Sequence, residues 1–213
     1  AVGVVGRYRR FVANEVMNDA DCILNIGSQF NAMTSDTFKI PASGIPIIHC
    51  SLDDMSLGRT YKESVSINAD PQAVLKALLA AADAAALDGS GWSDWKNASQ
   101  KKVEDWRERF RKAAETKAVN GRINTIHLMH ALNEHIQGDD VFISDTGNTT
   151  RWVAGLVDVK QAGRNYLRAA GSLGWAFPAG FGAKLAAGPD RRVFTVSGDG
   201  GMGYHIGDLE TAI

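Results

Sequence analysis

Two cysteines, Cys22 and Cys50, are all that the 213 residues contain. So few exclude a disulfide framework, and without further ligands at metal spacing they exclude a cysteine metal site. Each lies in an apolar run, so both are read as buried, reduced thiols. No charge of one sign dominates: 23 Lys and Arg stand against 24 Asp and Glu, a net charge of -1. Nothing electrostatic therefore points to nucleic acid or a membrane surface as partner. No apolar run approaches the ~20 residues of a membrane span. The opening AVGVVGRYRR lacks a signal-peptide layout. There is no internal repeat, and the only biased tract is the alanine-rich stretch from Ala80 to Ala86. These absences leave an enzyme-like chain, expected in the cytoplasm, with 45% hydrophobic residues, enough for one large or two modest domains.

What is present is an alternation of helix-like and strand-like stretches. Phe11, Val12, Val16 and Met17 stand at helical spacing. CILNIGS is a short apolar run ending at Gly27, a strand and then a turn. Ile45 to Cys50 reads the same way, and SVSINAD is a third, weaker strand. Asp70 before Pro71 caps a helix through the alanine-rich stretch. Such alternation predicts a parallel sheet covered by helices. Residues 1–86 supply about three strands where doubly wound sheets have about five or six, so they form half a domain. LDGSGWSDW opens a charged helical connector, residues 87–120, on which Trp95, Val103, Trp106 and Phe110 form a stripe for docking. His127, His130 and His135 follow on an amphipathic helix. No carboxylate-rich set accompanies them, so they belong to ordinary helix faces and not to a metal site.

Residues 121–213 form the second domain. A strand from Asp140 to Asp145 leads to the turn TGNTT and the helix RWVAGLV. Then come the strand from Tyr166 to Ala170, the loop GSLGW and the helix PAGFGAKLAA. The strand VFTVS, the turn GDGGM and a last helix, GDLETAI, follow. The fold class is α/β: two incomplete doubly wound parallel-sheet domains joined by a helical connector. Ligands of such sheets bind at the carboxyl ends of the strands. The turns Asp145–Thr150 and Ser197–Gly201 fall there, and both bring bare backbone N–H groups near an anion. Asp199 adds the hard oxygen that Mg²⁺ prefers. Gly-Asp-Gly by itself is common in tight turns, so its surroundings decide.

The run from Arg168 to Ala212 resembles the diphosphate-binding domain of thiamine-diphosphate-dependent enzymes, in the group of acetolactate synthase, benzoylformate decarboxylase and 2-hydroxyacyl lyase. The resemblance lies in Gly171–Gly174, Pro178-Ala179, Val193–Val196, Gly198–Gly200 and Asp208–Ala212, in that order and spacing. VGRYRRFVANEVMNDADCILNIGSQF and IIHCSLDD are likewise similar to the second half of the family's central domain, so the resemblance spans nearly the whole chain. It implies that Asp199 is a Mg²⁺ ligand and that Gly198, Gly200 and Gly201 offer backbone to the diphosphate. Gly147, Asn148 and Thr149 match the turn that touches the same diphosphate from the other side. Leu173 matches the bulky residue that holds thiamine diphosphate in its bent shape, while the cofactor acts as electron sink.

The resemblance further implies loss of CO₂ from a 2-oxo acid, followed by carboligation or by protonation. The family's pyrimidine-binding domain, its catalytic glutamate and a further asparagine metal ligand lie outside this stretch. No catalytic residue is therefore assigned here. The chain reads as part of a longer homo-oligomer, a dimer or tetramer, and as inactive alone. Asn31-Ala32-Met33 stands where flavin-binding acetolactate synthases carry a charged run, which argues against FAD. A competing reading is a non-catalytic nucleotide- or CoA-binding module, with Gly3-Val4-Val5-Gly6 beside Arg7, Arg9 and Arg10 at a helix start.

Overall fold

The computed structural model describes residues 1–161, 163, 165–169 and 171–212. The chain divides into two compact units, Ala1–Trp106 and Arg107 onward. Among the described residues no helix is long and apolar enough to cross a membrane.

The first unit holds α1 (Phe11–Asn18), β1 (Ile23–Ile26), β2 (Ile47–Ser51), β3 (Val65–Asn68) and α2 (Pro71–Ala84). Its three strands are parallel in the order β1-β2-β3, with Leu24, Ile48 and Val65 in register. β2 lies between two partners and buries Ile47, His49, Cys50 and Ser51. α1 buries Val12, Ala13, Asn14 and Val16, whereas Phe11 is 64% exposed. The Asp70 carboxylate accepts from the amides of Gln72 and Ala73, and Pro71 takes the first helical position, where its missing N–H is harmless. Cys50 is buried, but Cys22 is an exposed free thiol. The sequence reading is corrected there: Cys22 sits in the bend before β1, and the strand's apolar run begins only at Ile23.

A buried polar pair anchors this unit. His49 Nδ1 lies 2.5 Å from Glu63 Oε1, and Nε2 lies 2.9 Å from the Ser28 carbonyl. The Ser66 hydroxyl donates to Glu63 Oε2 at 2.5 Å. Burial pushes the Glu63 carboxyl up. Hydrogen bonds from Ser66, the Gly58 amide and His49 outweigh burial and hold it below its ordinary 4.5.

The charged connector is a helix, α3 (Ser93–Ala114). Val103 and Trp106 are buried in the first unit, and Phe110 packs against the core of the second. Trp95 is 49% exposed, which removes it from the expected stripe. It lies in the first turn of α3, ahead of the buried positions.

The second unit continues with a two-stranded hairpin, β4 (Ala118–Val119) and β5 (Arg122–Ile123). Asn120 and Gly121 at its tip both have positive φ, 51° and 73°, as a two-residue hairpin turn requires. Then come α4 (Thr125–His135), β6 (Val141–Ser144), α5 (Asn148–Leu156), β7 (Tyr166–Arg168), α6 (Ala176–Ala187) and β8 (Val193–Val196). A short α7 (Asp199–Gly203) and a 3-10 segment, Ile206–Ala212, close the chain. The strands are parallel in the order β7-β6-β8. β6 is buried along its whole length, which explains the unalternated apolar run Val141–Ile143. One core gathers Met129, Ile136, Phe142, Val153 and Val157; another gathers Val141, Ile143 and Ala176.

Three details differ from the sequence reading. GDGGM is not a simple turn but the helical turn α7, and Gly207–Ala212 of the expected last helix lies in a 3-10 segment and not an α-helix. Gly203 ends α7 and Gly207 lies inside the 3-10 segment, and glycine is a poor helix former. α5 begins at Asn148, three residues before the expected start. Ala170 of the expected third strand and Ile213 of the expected last helix lie outside the described residues. His127 and His135 donate from Nδ1 to the carbonyls of Ala114 and Ala131, at 2.9 and 2.8 Å, and His130 packs on the Phe110 ring.

Candidate functional site

Ser144 is in register with Arg168 on one side and Val196 on the other, so β6, β7 and β8 end level with one another. Three polar, glycine-bearing segments lie at that edge: Asp145–Gly147 leading into α5, Gly171–Gly174 leading into α6, and Ser197-Gly198 leading into α7.

Asp145 joins them. Its carboxylate accepts from the Thr146 amide at 2.7 Å and from the Gly174 amide at 3.0 and 3.1 Å. It also accepts from the Ser197 hydroxyl at 2.8 Å. Its carbonyl accepts from the hydroxyls of Thr149, at 3.0 Å, and Thr150, at 2.5 Å. Thr149 therefore spends its hydroxyl inside the turn. Gly147 caps α5 with φ of 105°, a conformation that glycine adopts without steric cost. Asn148, Asp199 and Gly200 are exposed, Gly198 is half-buried, and Leu173 is 48% exposed on its loop. Space is open where a Cβ on Gly147, Gly198 or Gly200 would stand, so their backbone is approachable. Gly201 is different: a Cβ there would lie 2.3 Å from Asp145 Oδ2.

Among the described residues no group of three or more His, Cys, Asp or Glu side chains converges on a metal position. The Asp199 carboxylate, exposed beside open glycine backbone, fits a hard cation shared with a diphosphate. It does not fit a metal held by protein side chains alone.

Residues 1–78 match the central domain of thiamine pyrophosphate enzymes, and residues 145–213 match their C-terminal TPP binding domain. The chain belongs to the thiamine pyrophosphate enzyme family. The acetolactate synthase large subunit of Lactococcus lactis is 29% identical over 205 residues, 94% of this chain and 33% of that protein. The isozyme 3 large subunit of Escherichia coli is 26% identical, over 100% of this chain and 36% of its own length. Pyruvate oxidase of Lactiplantibacillus plantarum is also 26% identical, over 100% of this chain and 34% of its own length. The chain spans about a third of the length of the curated relatives it matches.

For a thiamine pyrophosphate enzyme the competing anion cradle at Gly3–Gly6 is not favoured, and its geometry says why. The Gly6 amide donates to Asn14 Oδ1 at 2.8 Å, and the Arg7 amide to the Met33 carbonyl at 2.7 Å. Arg9 pairs with Asp36, and the Arg10 guanidinium lies 4.5 Å from the centroid of the Trp106 ring. Two amides and two of the three arginines meant for an anion are thus engaged within the unit.

Sequence reasoning placed Asp145 at the end of a strand and gave it no role. The available signal was an acidic residue directly after the buried strand Val-Phe-Ile-Ser of this thiamine pyrophosphate enzyme and directly before Thr-Gly-Asn. Such a carboxylate is buried at a cost unless several donors meet it.

Proposed function

We propose that this chain contributes the diphosphate and Mg²⁺ site of a thiamine-diphosphate-dependent enzyme acting on 2-oxo acids, by decarboxylation, carboligation or both. The observation that carries this reading is the meeting of three glycine-bearing segments on one carboxylate at the carboxyl edge of a parallel sheet. Asp199 is the metal ligand in this reading. Gly198, Gly200 and Gly201 offer backbone to the diphosphate from one side, with Gly147, Asn148 and Thr149 on the other. Leu173 gives the cofactor an apolar support and keeps water from its far face. When bound, thiamine diphosphate supplies the electron sink for loss of CO₂. The names of the relatives, acetolactate synthase and pyruvate oxidase, agree with a small 2-oxo acid as substrate. A homo-oligomer working in the cytoplasm without FAD completes the proposal.

The direct test is calorimetric titration of the complete protein that carries this chain, with thiamine diphosphate and Mg²⁺ set against FAD, NAD and CoA. Tight binding of the first pair alone is expected. In Asp199→Ala, cofactor affinity in Mg²⁺ should fall by roughly a hundredfold or more, because even outer-sphere partners of a metal are worth ten- to hundredfold. The melting temperature should hold, because Asp199 is exposed and has no partner among the described residues. Unchanged affinity would remove Asp199 from the site.

Residues 1–213 alone are expected to release no CO₂ from pyruvate or benzoylformate, even with saturating cofactor and Mg²⁺. The acid–base partner of the aminopyrimidine is expected elsewhere in the protein. The piece should also elute as a self-associated species, since Leu75, Leu78 and Leu79 of α2 are exposed. Turnover by a clean monomer on size-exclusion chromatography would contradict both expectations.

A further inference from the structure

Asp145 is a buried carboxylate that none of these ligand roles uses. It is 2% exposed, at the end of the buried strand β6. Its donors are all neutral and come from three segments: the Thr146 amide, the Gly174 amide and the Ser197 hydroxyl. Among the described residues no cationic side chain pairs with it. A lone buried charge is costly, and charge-assisted bonds to donors fixed by the fold are what offset the cost. Stability alone would be served as well by an apolar side chain continuing the run of β6, since buried charges are replaced by packed apolar residues with little loss.

We propose that Asp145 is the positioning residue of the diphosphate site, holding the loop that carries Leu173 and the turn that carries Asp199 at a fixed separation. This rests on the reading that those two segments hold thiamine diphosphate and Mg²⁺. The bond to Gly174 fixes the residue next to Leu173. The bond to Ser197 fixes the turn two residues before Asp199. One side chain of two oxygens thus sets the distance between the apolar support and the metal ligand. Gly201 lies so close to Oδ2 that the turn is fitted around the carboxylate. Asp145 does not touch the cofactor in this account; it acts through Gly174 and Ser197.

The test uses the complete protein and the variants Asp145→Asn, Ser197→Ala, their double, and Asp145→Ala. Each is titrated with thiamine diphosphate at saturating Mg²⁺, read by tryptophan fluorescence, since Trp175 directly follows Gly174. Melting temperatures are measured in parallel. In Asp145→Asn the remaining oxygen still accepts from Thr146 and Gly174, so the fold is kept while the charge is lost. Asp145→Asn and Ser197→Ala should each raise Kd roughly ten- to hundredfold, the worth of one hydrogen bond to a charged group. Asp145→Ala should lose more. The double variant should bind no more weakly than Asp145→Asn, because both changes break one linkage. Ser197→Ala loses one bond to the carboxylate and should melt somewhat lower, so Kd is read well below its melting temperature, where a purely structural role would leave Kd unmoved. Wild-type protein that binds no thiamine diphosphate overturns the cofactor reading itself. Wild-type protein that binds, with Asp145→Asn and Ser197→Ala binding equally well, overturns the positioning role alone. Additive losses in the double variant overturn it too. If Asp145→Asn does not fold, Ser197→Ala decides by the same criterion.

Discussion

Gly174→Ala is expected to disable the proposed cofactor site and to destabilise the second unit together. Gly174 has φ of 84°, where a side chain is strained, at roughly 1–2 kcal/mol for the backbone alone. A Cβ would also stand 2.9 Å from both His205 Cδ2 and Tyr204 Cβ, and 3.0 Å from the Gly201 carbonyl. The carbonyl is backbone of α7 and does not swing aside, so overpacking adds about 1–3 kcal/mol. Relief requires the loop to move, which lengthens the hydrogen bonds to Asp145 and carries Leu173 with it. A displacement of about 1 Å in a positioning element can cost roughly a hundredfold in rate. Chemical unfolding and turnover of 2-oxo acid, measured on the same preparation, check both halves. Wild-type stability in Gly174→Ala would show that the loop is loosely held.

Glu63→Ala should be the most damaging single change to the first unit. The side chains of His49 and Glu63 are 0% and 4% exposed. The Ser28 carbonyl and an ionised Glu63 can only accept, so both bonds of the ring are complete when each of its nitrogens carries a proton. Removing one partner of a buried pair costs about 3–5 kcal/mol. Glu63→Gln, which keeps an accepting oxygen, should cost less. The pair also gives this unit an acid limit. The folded-state value of Glu63 lies below its ordinary 4.5, so its contribution is fully present above the ordinary value. It is lost as pH falls through the lowered value. Urea midpoints followed by Trp106 fluorescence should therefore drop on the acid side of about pH 4.5 in the wild type and more shallowly in Glu63→Gln. Matching acid slopes would assign the acid limit to other carboxylates.

Much of this was legible from local pattern. β1, β2, β6 and β8 are apolar runs that stop at a glycine or a polar residue, and Asp70-Pro71 writes the start of α2 in two letters. The alternation of elements carried the parallel topology of both sheets. What stayed hidden depends on residues distant in sequence. The partners of Asp145 at Gly174 and Ser197 lie 29 and 52 positions away, and only the register of three strands brings them to one carboxylate. His49 and Glu63 meet for the same reason, across the turn between β2 and β3. The β4–β5 hairpin had a signal in Asn120-Gly121, but its strands are two residues each and wholly exposed, too short to show alternation. Phe11 and Trp95 sit at helix starts, where periodicity has too few residues to say which face turns inward.

Cys22 and Cys50 divide the chemistry of the first unit in a way useful to an experimenter. One thiol stands in water before β1, and the other is sealed in β2 with its sulfur toward the Ala69 carbonyl. Only an accessible thiolate reacts. A maleimide dye added to the folded chain thus marks a single position of the first unit, in the bend before β1. Uptake of a second label then reports the moment at which the first unit comes apart.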